Sequence, residues 1–154
     1  SGDGVLAELL SPHAQRYGCI DTSARVVAAA GERLRRLPNV EVREGDMHAL
    51  PFKDQSFDLV VLMHALTYAA KPAQAVTEAA RVLRRGGRLL LSSLAKHEHQ
   101  ATVHAYGHVN LGFSDKDLRK FAEKAGLQVS NLGTVTRERR PPHFEVISLI
   151  GIKP

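Results

Sequence analysis

At 154 residues and 44% hydrophobic content, the chain is sized for one globular domain that buries roughly two-thirds of its unfolded surface. Its 21 Lys and Arg against 16 Asp and Glu leave a formal charge of +5, which permits an anionic partner without requiring one. A lone cysteine excludes an internal disulfide, and no apolar run approaches the roughly 18 residues of a membrane span, so no membrane partner and a reducing, cytoplasmic setting are expected.

The chain opens on Ser1-Gly2-Asp3-Gly4-Val5-Leu6-Ala7, which reads as the second half of a glycine-rich loop running into a helix. Gly2 and Gly4 allow a tight turn and close approach to a ligand, and the N–H groups at the helix start offer donors to an anion or a sugar edge. In nucleotide-binding α/β folds such a loop follows a buried strand. Here the chain begins in the loop, so the expectation is a truncated domain, 1–154, that lacks its first strand. Weak or undetectable cofactor binding by these residues alone follows from that expectation.

Val5, Leu6, Leu9 and Leu10 recur at helical spacing, and Ser11-Pro12 closes the helix. Tyr17-Gly18-Cys19-Ile20 is a short strand ending at Asp21, seventeen positions after Gly4, near where a dinucleotide fold places its ribose-binding carboxylate. The alternative for Asp21 is an N-cap of the next helix. That helix spans about Ala24 to Leu37, with Val27, Ala30, Leu34 and Leu37 on one stripe. Val40 to Arg43 alternates as a strand, and Gly45-Asp46-Met47 turns out of it. Asp46 could pair with an exocyclic amine and Met47 could pack on a purine; equally, Asp46 could be a turn residue.

Phe57 to Met63 is apolar apart from Asp58, as expected of a central strand covered on both faces. His64, Ala65, Leu66, Thr67 and Tyr68 follow its carboxyl end, where open α/β sheets hold their ligands. Lys71-Pro72 starts a helix with Val76, Ala79, Ala80 and Leu83 as its core stripe; Gly86-Gly87 is expected to end it, and Arg88 to Leu94 to form the next strand. Ala95 to Leu111 is histidine-rich and reads as a loop or short helix. Ser114 to Asp117 opens the last helix as a capping box; Leu118, Phe121, Ala122 and Ala125 are its buried stripe and Gly126 its stop. Two strands, roughly Gln128 to Thr136 and Phe144 to Ile152, are joined by a tight turn and should pair antiparallel.

The order of these features, from the Gly loop through Asp21, Asp46 and Phe57-Asp58 to Ala80-Arg81-Val82-Leu83-Arg84-Arg85-Gly86-Gly87-Arg88-Leu89, resembles a class I S-adenosylmethionine-dependent methyltransferase over essentially the whole chain. The resemblance implies an α/β, Rossmann-like methyltransferase sheet with helices on both faces and a C-terminal antiparallel hairpin. It implies S-adenosyl-L-methionine as cofactor, with Gly2 and Gly4 forming the cofactor loop, Asp21 holding the ribose, Asp46 with Met47 framing the adenine, and Thr22 and His64 also facing the cofactor. A narrower similarity, at His64 to Pro72 and Tyr106 to Ser114, is to the methyltransferase domain fused behind the winged helix of some ArsR-type regulators. DNA would then be a partner only through a missing N-terminal domain.

The function implied is methyl transfer to an unidentified small-molecule acceptor. The rival is a non-catalytic module that senses S-adenosylmethionine or S-adenosylhomocysteine within a transcriptional regulator. A sulfonium is already an activated donor, so the chemistry needs mainly alignment and exclusion of water. Where a base is needed, His64, Tyr68, His104 and His108 are the candidates, each with an ordinary structural role as its alternative. His97-x-His99, or His104 with His108 at helical spacing, could contribute metal ligands, but with Glu98 the only carboxylate close in sequence no metal site is expected. The Arg33 to Arg36, Arg84 to Arg88 and Arg137 to Arg140 groups read as solvated surface, with no aromatic platform for nucleic acid.

Overall fold

The computed structural model describes residue 2 and residues 4–154, positions 102 and 103 by their backbone alone. Ser1 and Asp3 of the opening loop lie outside the described residues. The chain forms two compact units, Ser1–Pro51 and Phe52–Pro154.

In the first unit, strand β1 (Tyr17–Asp21) pairs parallel with β2 (Val40–Glu44), Tyr17 opposite Val40 and Asp21 opposite Glu44. The crossover between them is helix α2 (Ala24–Leu34), capped by Ser23, whose Oγ accepts from the Val26 N–H at 3.4 Å. The helix stops at Leu34 and not at Leu37 as expected. Pro38 pushes Leu37 out of the helical region, and the Asn39 amide fixes the exit by donating to the Ser11 and Ala14 carbonyls at 2.7 and 2.8 Å. Helix α1 (Val5–Leu10) starts from Gly4 at φ 91°. A β-carbon there would lie 2.9 Å from Leu34 Cδ1, so glycine serves both the left-handed backbone and the packing of the loop on α2. Ala7, Cys19, Ala30 and Leu34 form the buried core, with Tyr17, Val40 and Val42 against it. Burial pushes the Cys19 thiol above its ordinary value, which leaves it an inert core residue.

In the second unit, β3 (Phe57–Met63), β4 (Leu83–Leu94), β5 (Gln128–Arg137) and β6 (Glu145–Ile152) form a four-stranded sheet in the order β3-β4-β6-β5. β3 runs parallel to β4, while β6 pairs antiparallel with both β4 and β5, as the expected terminal hairpin requires. The expectation of a central Phe57 to Met63 strand is not met: β3 is the edge of this sheet. Leu59 and Met63 are each 48% exposed, because β4 is the only strand paired with β3 among the described residues.

Helix α3 (Pro72–Val82) begins with proline in its first turn and buries Val76, Ala79 and Ala80 completely or nearly so. It ends four residues before the glycine pair. Leu83 turns extended, is fully buried and pairs with Phe57, so core packing of a strand residue decides the boundary. The last-turn carbonyls left over are satisfied from a distance: the Lys153 ammonium donates to Ala80 O at 2.7 Å and Leu83 O at 2.8 Å, a cation at a helix C-terminus. The seven-residue helix α4 (Gln100–Tyr106) occupies the histidine-rich stretch. Helix α5 (Asp115–Lys124) carries the expected capping box between Ser114 and Asp117, with Leu118 and Ala122 buried. No helix among the described residues is long and apolar enough to cross a membrane.

Candidate active site

Parallel strands deliver their chemistry at their carboxyl ends, and in the first unit both strands end on acids. Asp21, the last residue of β1, accepts from the Ser23 N–H at 3.0 Å. The N-cap of α2 is therefore Ser23, and Asp21 stands two residues before it. Burial pushes the Asp21 carboxyl up, the Ser23 backbone N–H leads the interactions that pull it down, with Gly2 the smallest of them, and the result lies below the usual carboxylate range. The Gly2 contact ties the described part of the glycine loop to this acid.

Asp46 follows β2 in a tight turn, where its carbonyl accepts from the Ala49 N–H at 3.0 Å. Its Oδ1 takes two bonds from His48, the backbone N–H at 2.8 Å and ring Nδ1 at 2.6 Å, and these hold its carboxyl below the usual range. Asp46 is thus a turn residue, and its carboxylate still stands 56% exposed. Thr22, Glu44, Gly45 and Asp46 line a cavity of about 400 Å³. Met47 sits half-buried in the same turn as Asp46. His48 escaped the sequence reading; its only signal was the Asp-x-His spacing that lets a side chain fold back onto a turn acid.

In the second unit, His64 leaves the end of β3 at φ 51°, ψ 15° and precedes a 3-10 turn, Ala65–Tyr68. A left-handed backbone costs a residue bearing a β-carbon roughly 1 kcal/mol, and it aims the chain out of the strand, with the His64 N–H still bonded to Ser92 O at 2.9 Å. Burial, and then the nearby His108, push the His64 imidazole below its ordinary value, so it is a neutral base near neutral pH. The Tyr68 ring meets His108 edge-on at 5.3 Å, and Tyr106 lies 5.9 Å from the same ring. His64, Tyr68 and His108 therefore form one neighbourhood. His104 is exposed on α4, which ends at Tyr106, so His104 and His108 do not share a helical face as their spacing had allowed.

What builds this neighbourhood is Asn110. Its side-chain amide donates to Leu66 O at 2.9 Å and Ala69 O at 2.8 Å, while the Val109 and Asn110 N–H groups both donate to Thr67 O. The stretches His64 to Pro72 and Tyr106 to Ser114 are thus stapled together. Asn110→Ala is expected to cost about 2 kcal/mol, two hydrogen bonds with buried carbonyls left behind. Urea denaturation reads the loss, and faster hydrogen exchange at the Val109 amide would localise it.

Parallel strands with crossover helices, acids at consecutive strand ends and an antiparallel final hairpin define the class I methyltransferase fold. The chain belongs to the family described as Methyltransferase domain, which matches residues 1–91. An uncharacterized 37.1 kDa protein in transposon TN4556 of Streptomyces fradiae is 47% identical over 88 residues, 57% of this chain and 25% of that protein. The uncharacterized methyltransferase YcgJ of Bacillus subtilis is 33% identical over 93 residues, 59% of this chain and 37% of that protein. The chain thus spans well under half the length of these curated relatives. Among solved structures, YcgJ superposes with a TM-score of 0.82 at 20% identity, covering 99% of this chain and 88% of that one. A putative methyltransferase from Bacillus halodurans gives 0.83 at 22%, covering 99% and 89%.

Proposed function

We propose that the full-length protein transfers a methyl group from S-adenosyl-L-methionine to a small-molecule acceptor. The observation that carries this reading is the pair of ionised carboxylates, Asp21 and Asp46, at consecutive parallel strand ends of a methyltransferase-family chain, with a cavity of about 400 Å³ lined by Thr22, Glu44, Gly45 and Asp46. This donor and acceptor set fits the cofactor: Asp21 offers a fixed acceptor to vicinal hydroxyls, Asp46 an acceptor to an exocyclic amine, and Met47 an apolar surface to a purine. Bound there, S-adenosylmethionine supplies a methyl group already activated on a sulfonium. Gly2 and Gly4 keep the loop close and free of side chains.

The work left to the protein is orientation and, for an acceptor that loses a proton, a base. His64 is the strongest candidate, neutral and held at a strand end by the Ser92 bond. His108 and Tyr68 border it; His104 stands apart on α4. Calorimetry with S-adenosylmethionine and S-adenosylhomocysteine tests the reading, and binding of both in the micromolar range, about 8 kcal/mol, is the expected result. No heat with either ligand would overturn it. Cofactor-dependent DNA affinity without any formation of S-adenosylhomocysteine would replace the enzyme by a sensor.

A further inference from the structure

Within the second unit, Lys96, His97, His99, Arg137 and His143 line a cavity of about 230 Å³ at the carboxyl end of β4. There the segment after β4 meets the turn that joins β5 to β6, tied to it by the Ala95 N–H on Glu145 O at 2.8 Å. Among the described lining residues the one acid is Glu145, and the Arg137 guanidinium neutralises it at 3.2 Å. That leaves the Lys96 ammonium, which makes no ion pair among the described residues and acts at longer range on Asp117. The cavity is therefore positive before any imidazole is counted.

The imidazoles add donors. His97 Nδ1 accepts the His99 N–H at 3.2 Å, which puts the ring proton on Nε2. That Nε2–H is covered from solvent and finds no acceptor among the described residues. The Phe144 ring supplies a flat apolar wall, edge to face with His97 at 4.8 Å and His99 at 5.5 Å. A cavity lined by Lys96, Arg137 and three histidines, next to an aromatic face, matches an anionic oxygen group carried on a small unsaturated body.

We propose that this cavity receives the oxyanion, a carboxylate or phosphate, of the methyl acceptor, and hence that the acceptor is an acidic small molecule. Calling the ligand the acceptor rests on the methyl-transfer reading; the oxyanion site itself does not. The candidate bases lie along the same edge: β3 and β4 are parallel, His64 follows one and Lys96 the other, and His108 is near enough to influence the ionisation of both His64 and His97.

The test is a titration of the full chain, without cofactor, followed by the histidine ring resonances in proton–carbon spectra. Benzoate and phenyl phosphate are the probes, and benzamide is the neutral control. Either anion should shift the His97 and His99 signals, and the tighter of the two identifies the head group. Exposed Lys96 tolerates substitution, and Lys96→Gln should weaken the anion about tenfold, the equivalent of one hydrogen bond to a charged group; Arg137→Gln should do the same. Benzamide binding as tightly as the anions, affinity unchanged in both variants, or shifts that bypass His97 and His99 would each overturn the site. Anion binding by a full-length protein that takes up no S-adenosylmethionine would leave the oxyanion site standing and overturn its assignment to a methyl acceptor.

Discussion

Asp21→Ala is expected to weaken S-adenosylmethionine binding about a hundredfold in the full-length protein, the loss of two hydrogen bonds to a charged acceptor. Three observations make the effect large. Asp21 ends a strand, so its position is set by the parallel ladder with β2. The Ser23 N–H at 3.0 Å fixes its rotamer before any ligand arrives, so little ordering is left to be done on binding. The Ser23 bond also favours the ionised form: with the folded value below the usual carboxylate range, the contribution of Asp21 to stability is present above that range and is lost only as pH falls through the lowered value. Cofactor affinity should accordingly show no titration from Asp21 between pH 5 and 8. Calorimetry on the wild type and the variant decides the matter, and equal affinities would remove Asp21 from the site.

The parts of this site legible in the sequence were those fixed by local pattern. Tyr17 to Asp21 reads as a strand ending on an acid because its apolar run is short and its punctuation clear, and the Ser114 capping box announces itself within four residues. Gly86-Gly87 misled for the opposite reason. Glycine is a good helix stop, but burial of Leu83 in the sheet and the Lys153 ammonium, seventy positions away in sequence, set the end of α3 earlier. The apolar run of β3 spoke for a strand covered on both faces, yet its place at the sheet edge depends on pairing that no local period encodes. Asn110 lay beyond local reading altogether: its partners Leu66 and Ala69 are 44 and 41 positions distant. The two stretches it joins are far apart in the chain, and only the fold brings them together.

Gly112→Ala tests that join from its other side. Gly112 has φ +79°, and a β-carbon there would press on the Ala95 carbonyl oxygen and lie within 2.7 Å of both the Ala95 carbonyl carbon and Leu94 O. Neither neighbour is a flexible side chain that can move away. The backbone it would displace carries the Phe113 N–H on Leu94 O at 3.0 Å, the Lys96 N–H on Phe113 O at 3.1 Å and the His97 N–H on Leu111 O at 2.9 Å. Those bonds hold Lys96 and His97 at the oxyanion cavity. The expected cost is about 3 kcal/mol, from left-handed strain together with overpacking against backbone. Gly107 is the internal control: it too has positive φ, +64°, but a β-carbon there meets nothing within 4 Å, so Gly107→Ala should cost only about 1 kcal/mol. Urea midpoints at unchanged m would measure both. The benzoate or phenyl phosphate shifts at His97 and His99 should be lost in Gly112→Ala and kept in Gly107→Ala. Equal destabilisation by the two substitutions would mean that backbone conformation alone, and not the close approach to Ala95, requires glycine at position 112.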